Sequence, residues 1–435
     1  MMASVAMVVL LAQVTQGAAA GAPAAVSASA EQTETRAADL DVTVQAAIVG
    51  DVLPRRDVAE LRPRIGVELS LSPRPWATLK LDARADALVA DRSGRASDLR
   101  AEVRDAWFEA GGDAGDVRVG FGRLAWGRLD EIAPTDVVNP IDVSRFLFEG
   151  RAEARLAVPF VRGRVRGGER ITLEAVLVPT FRRGLFDRLE ESTSPFNLVN
   201  DAAAALPAPA SVESREPAAT WQNVSGGGRA DVTIGRVDVG VSAFRGFDGL
   251  GPVSVAYQAA PAPGVLVPRL VQEHPRFTMI GGDFETVTGV WAWRGEAALF
   301  TERSFSGAPA EGLVAGQSFD AGVGVDRRAG EFRVFASGIV HREWSDARPT
   351  IARTDVSLVG SVDRSFARDR FFARGFVVVN PGDNAAFLRG LFTWRPSDRW
   401  SLDGSAGAFV GTSDDSIGRF KTRDFVLIAL RTWLR

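Results

Sequence analysis

The chain has 435 residues, 46% hydrophobic and 24% charged, with 44 Gly, 22 Pro, two His, no Cys and a formal net charge of -3. That composition excludes disorder as the main description, disulfide staples, and zinc, haem-thiolate or iron-sulfur centres, so no cofactor or metal is expected. Acids slightly outnumber bases, which leaves no cationic excess to attract nucleic acid.

At the N-terminus, Val5 to Val14 is apolar and Gly17 to Ala30 is rich in small residues, with A-x-A options such as Ala18 to Ala20. This predicts a secretory signal peptide over 1–30, although its first residues carry no Lys or Arg. No later apolar run is long enough for a helical span. What recurs instead is strict alternation. Ala77, Leu79, Leu81, Ala83, Ala85 and Ala87 face one way, and Thr78, Lys80, Asp82, Arg84 and Asp86 the other. The same period of two returns at Ile171–Leu177, Phe319–Val325, Phe371–Val379, Ala386–Trp394 and Val426–Leu434. A period of two means strands, with one apolar and one ionic face.

Connections alternate between short and long. Short turns are expected near 72–75, 111–115, 167–169, 235–236, 286–289, 328–330, 365–369 and 396–399. Longer segments fall near 89–98, 127–156, 182–221, 247–275, 302–315, 343–352 and 411–423, and only 381–384 is short where a long one is due. Short turns on one rim and long loops on the other predict an all-β fold: a transmembrane antiparallel up-and-down β-barrel of about 18 strands, with 16 as the alternative. Residues 31–435 then form one outer-membrane domain with long extracellular loops. The rival is a soluble all-β protein, but the apolar parity is rich in Ala, Gly and single Val, which suits lipid better than a dense core. Trp76, Trp107, Trp126, Trp394, Trp400 and Trp433 stand at predicted strand ends, where a headgroup-level girdle would place them. The final strand ends Trp433-Leu434-Arg435, short of the terminal aromatic that barrel assembly machinery usually reads.

The stretch Gly120-Phe-Gly-Arg-Leu-Ala-Trp-Gly127, followed by Asp136-Val-Val-Asn-Pro-Ile-Asp-Val-Ser-Arg145, resembles the signature of a proteobacterial domain-of-unknown-function family of porin-like outer-membrane proteins. Leu173 to Phe181, and Gly281-Gly-Asp-Phe284 running into Arg294-Gly-Glu-Ala-Ala298, are similar to it too. The resemblance covers about 39–435 and implies an outer-membrane barrel. It leaves the transported molecule open, with hydrophobic compounds among the candidates.

The 127–156 loop follows Arg123 and Trp126 and holds Asp130, Glu131, Asp136, Asn139, Asp142, Arg145 and Glu149. Folded inward, it would narrow a pore and set carboxylates opposite Arg, selecting solutes by size and field. Arg123, Trp126, Asp136, Asn139, Asp142 and Arg145 are therefore the candidate solute-contacting residues. Asn139-Pro140-Ile141-Asp142 is equally good turn chemistry, so a turn-and-docking role stands beside solute contact. Strict alternation from Val117, Val119 and Phe121 points Arg123 at lipid unless a bulge near Gly120–Gly122 turns it inward. Arg182-Arg183 and Glu190-Glu191 read as solvated loop charges, and Asp414-Asp415 lacks the spacing of a calcium loop.

No G-x-S-x-G, H-E-x-x-H or P-loop is present, so an enzyme is not expected. His341 with Ser345 and Asp346 reads as polar strand-end chemistry, and His274 has less support still. The expectation is a porin-like channel of the bacterial cell outer membrane for passive passage or uptake of a small solute. Its partners would be outer-membrane lipids, the solute and the assembly machinery, with a homo-oligomer left open although no segment marks its interface. A non-conducting structural or adhesive barrel is the alternative, and an outer-membrane hydrolase the third choice.

Overall fold

The computed structural model describes residues 38–51, 58–91, 95–130, 132–186, 206, 211–259, 266–307, 311–412, 417–421 and 424–434. The predicted signal peptide, Glu131, Glu190-Glu191 and Asp414-Asp415 lie outside them.

The chain enters the barrel through β1 (Ala38–Asp51), β2 (Val58–Arg74), β3 (Ala77–Asp91), β4 (Arg95–Gly112) and β5 (Gly115–Gly122). Two short helices follow, α1 (Val143–Glu149) and α2 (Arg151–Ala154), then β6 (Val158–Gly167), β7 (Ile171–Val178), β8 (Ser211–Arg215), β9 (Ser225–Ile234) and β10 (Val237–Phe247). Next come β11 (Val253–Ala259), β12 (Leu266–Glu273), β13 (Arg276–Thr288), β14 (Trp291–Ser306), β15 (Leu313–Ala329) and β16 (Phe332–Trp344). The last are β17 (Ala352–Phe366), β18 (Phe371–Asn380), β19 (Ala385–Ser397), β20 (Trp400–Val410) and β21 (Phe425–Leu434).

Eighteen strands form one antiparallel sheet in sequence order, omitting β8, β11 and β12. It closes where β1 pairs with both β2 and β21, with Val42 opposite Leu434. Closure removes both sheet edges, which a bilayer demands because it offers no water to unpaired backbone. The expectation of about 18 strands holds, and the short turns lie together on one rim.

The alternation has its expected meaning. Leu79, Leu81, Val117, Val119, Leu173, Val323, Leu358 and Ile428 are exposed on the outside, whereas Asp82, Arg84, Asp86, Asp283, Glu296 and Asp320 are buried inside. The inner face is not uniformly ionic. Phe160, Phe244, Phe277, Phe300, Phe335, Phe376, Phe387 and Phe409 point inward and form two apolar clusters.

The Trp girdle is half right. Trp76, Trp394 and Trp400 are exposed near the short-turn rim, joined by Trp291 and Trp293. Trp126 is instead buried in the lumen, and Trp107 packs against the same inner cluster beneath the Arg118 guanidinium, 3.8 Å from its ring centre. Strand-end position alone did not distinguish the two faces. The long segments 182–221 and 247–275 also carry structure: β8, β11 and β12 form a separate three-stranded sheet on the long-loop side.

Candidate functional site

The segment 123–157 leaves β5 and folds into the lumen, because its polar side chains find their partners on opposing walls. Gly120 (φ +152) and the end of β5 at Gly122 break the alternation, so Arg123 turns inward and donates to Asp82 (3.0 Å) and Asp105 (2.5 Å). Gly127 (φ +88) lets the chain pass against β14, where any Cβ would meet the Glu296 carboxylate at 2.6 Å. That carboxylate accepts from the backbone N–H groups of Arg128 and Leu129 and from Thr135 Oγ1 at 2.9 Å.

Beyond this anchor, Arg128 bridges Asp283 (2.6 Å) and Asp231 (3.1 Å), and Asp130 pairs with Arg294 and Arg333, each at 3.3 Å. On the opposite wall, Glu149 meets Arg64 of β2 (2.7 Å), Glu153 meets Arg104 (2.8 Å) and Arg84 (3.1 Å), and Arg145 meets Glu102 of β4 (2.6 Å). The loop is thus tied to β9, β13, β14 and β16 at one end and to β2, β3 and β4 at the other. Ile132 and Phe146 add apolar anchorage among Phe335, Ile339, Phe376 and Phe387.

The candidate residues fall within this scaffold. Asp136 is buried between Arg151 (2.8 Å) and Arg155 (2.7 Å). Burial raises the pKa of its carboxyl, but the Arg155 and Arg151 guanidiniums outweigh that and hold it below the ordinary value. Glu149 is likewise desolvated, and Arg64 keeps it well below the usual range. Asn139 accepts from Leu124 N–H (2.7 Å) and donates to the carbonyls of Leu156 (2.7 Å) and Gly122 (3.2 Å), clamping both ends of the excursion. Asp142 caps α1 by accepting from Arg145 N–H (3.0 Å). Trp126 donates its indole N–H to Glu174 (2.8 Å) and packs edge-on to Phe244. Each of the six therefore has an intramolecular partner that positions the loop.

On the long-loop side of this inward-folded segment lies a cavity of about 470 Å³. Its wall includes Phe244, Phe277, Phe300 and Phe305, and its polar edge includes Arg303, Arg353, Asp320, His341 and Glu343. Arg303 lies over Phe300 at 4.3 Å and pairs with Asp248 at 3.0 Å. His341 Nδ1 faces Asp320 and Nε2 faces Glu343 at 3.1 Å, while Ser345 Oγ donates to the Ala315 carbonyl at 2.6 Å. His341 and Ser345 therefore do not form a nucleophile-base pair.

Two contributors escaped the sequence reading. The lumen-facing Phe residues occupy polar-parity positions, which a search for alternation treats as exceptions. Arg182, read as a solvated loop charge, donates to the Ala157 carbonyl (2.6 Å) and lies 3.5 Å from Glu102. The segment that carries it is laced to the loop by Leu185 N–H to the Ile141 carbonyl and Val143 N–H to the Leu185 carbonyl.

An inward-folded loop across a closed 18-stranded cylinder, with lipid-facing apolar rows, defines an outer-membrane β-barrel. Solved structures agree on the fold. OpdK of Pseudomonas aeruginosa with vanillate matches at TM-score 0.51 and 12% identity, over 91% of this chain and 98% of that one. OccK5 (OpdH) of the same organism matches at TM-score 0.50 and 9% identity, over the same shares of the two chains. No protein-family model matches the chain. No curated protein matches it in sequence.

Proposed function

We propose that the protein is a passive porin-like channel for a small amphipathic solute, and that 123–157 is its selectivity loop. The observation that carries this is the loop's ionic attachment to both walls beneath a cavity of about 470 Å³, which makes a narrowed passage with an antechamber. Phenylalanine faces suit an apolar ring, and Arg303 and Arg353 at the edge suit a carboxylate or other polar terminus. Vanillate, the aromatic acid in the OpdK structure, is a suitable probe. We place the chain in the same proteobacterial porin-like family as the Gly120–Arg145 signature suggests. In this reading the six candidate residues shape the passage, and the antechamber contacts the solute.

Purified protein in planar bilayers is expected to give stepwise conductance. Arg64→Ala with Arg104→Ala, which removes tethers of Glu149 and Glu153, should raise the step at least twofold. Folded barrels that stay silent both ways would overturn the channel. The apolar packing of Ile132 and Phe146 favours a second reading, a barrel plugged by its loop. Silence of the wild type with conductance only in the double variant would select it.

A further inference from the structure

The barrel wall has a low section beside β4. That strand runs 18 residues, but its partner β5 runs only 8 and pairs with it from Ala106 to Gly112. On its other side β4 stays paired with β3 as far as Asp91–Arg95. Over 97–105, no strand among the described residues pairs with its second edge. The register shifts at Asp82/Ala83, so that Arg104 is the bulged residue just where β5 stops pairing.

This stretch lies at hydrocarbon depth. The outward pairs Ala83–Val103, Ala85–Ala101 and Ala87–Leu99 are all apolar, and Leu99 is 78% exposed. A sheet edge at that depth is tolerated only where it is covered by protein or lines a cavity. The second condition is met: a cavity of about 540 Å³ opens there. It is lined by outward Ala101, Val103 and Phe121 together with inward Glu102, Arg145 and Leu156, so residues of both faces of the wall border it. Arg182 stands in the gap. It reaches inward Glu102 at 3.5 Å, lies over the outward Phe121 ring at 5.8 Å, and also lines the antechamber.

We infer that this gap is a lateral window, gated by Arg182, through which an apolar solute passes between the antechamber and the hydrocarbon of the outer leaflet. The inference rests on the solute-channel reading for its cargo but on separate geometry for its route. A ring that has shed water against Phe244 and Phe300 would meet a charged, wet lumen below the loop, whereas Ala101 and Val103 at the window offer continuous apolar contact with lipid. Swinging out of the gap costs Arg182 its bond to the Ala157 carbonyl, which water in the cavity can replace, and its side chain is 30% exposed while its carboxylate partner, Glu102, keeps Arg145 when Arg182 leaves.

The chain has no Cys, so single cysteines report cleanly. Leu156→Cys, inside the window, would be placed in vesicles of phosphatidylcholine doped with a phospholipid carrying a maleimide at its acyl-chain end. Ser357→Cys, buried in the lumen on β17, is the control. Leu156→Cys should label at least tenfold faster than the control, and Arg182→Ala in the same background should raise its rate further. Arg182→Cys serves if Leu156→Cys fails to fold. Equal lipid-borne labelling of window and control would overturn the window while leaving any bilayer conductance intact. Labelling of the window in a protein that does not conduct would sustain it and count against the channel alone.

Discussion

Asp136 shows why this loop depends on a few buried charges. Its carboxylate serves two guanidiniums at once, so Asp136→Ala would leave Arg151 and Arg155 buried without their main counter-charge. Loss of one partner from such a group costs about 3–5 kcal/mol, and loosening of 124–157 is the expected outcome, read as faster hydrogen exchange of loop amides. The carboxyl sits below its ordinary value of 3.8, so its stabilising contribution is complete above about pH 4 and is lost as pH falls through the depressed value. Loop protection should therefore hold from pH 7 to about pH 4 and decline below it in the wild type, with a smaller decline in the variant, where Glu149, paired with Arg64, still titrates. Gly127 is the steric counterpart, since its left-handed backbone and the neighbouring Glu296 leave no room for a side chain.

At the level of elements, α1 is a short helix that exists because both its ends are satisfied. Asp142 caps its start, and Gly150 (φ 95) closes its end by donating to the Arg145 and Phe146 carbonyls. The helix in turn points Arg145 at Glu102 and Phe146 into the inner cluster. Asp142→Ala should cost about 1 kcal/mol through the lost cap and shift Arg145 off Glu102. Noisier single-channel current with an unchanged barrel circular dichroism spectrum is the expected reading, and unchanged current would show that α1 does not line the passage. The short strands β5, β6 and β7 matter for the opposite reason: by stopping early they lower the wall where the loop leaves and Arg182 enters.

For the whole molecule, the energetics follow from closure. Every barrel strand has two partner strands, so unfolding must break a closed ring of backbone hydrogen bonds, interrupted only along the upper second edge of β4, in a medium that does not replace them. The unboiled protein should therefore migrate faster in a denaturing gel than the boiled one and leave membranes only with detergent. Release by salt alone would contradict a lipid-facing belt. Aromatics concentrate near the short-turn rim, where Trp76, Trp293, Trp394 and Trp400 are exposed and Arg327 lies over the exposed Trp291 at 5.1 Å, an arrangement suited to the headgroup layer.

The fold was legible because a bilayer enforces a two-residue period. Ala77 to Ala87 on one parity and Asp82, Arg84 and Asp86 on the other announce lipid and lumen without reference to any distant residue. The presence of a polar loop after Gly122 was legible too, from Asn139, Pro140 and Asp142. What no local pattern could decide is which walls that loop would reach, since Arg128 finds Asp283 and Glu149 finds Arg64 across spans of chain that meet only when the cylinder closes. Strand alternation is a local property of backbone geometry. The inward anchoring of the loop, the cavity beside it and the unpaired edge of β4 are properties of closure, set by where partners stand around a ring, and only the tertiary structure brings those partners together.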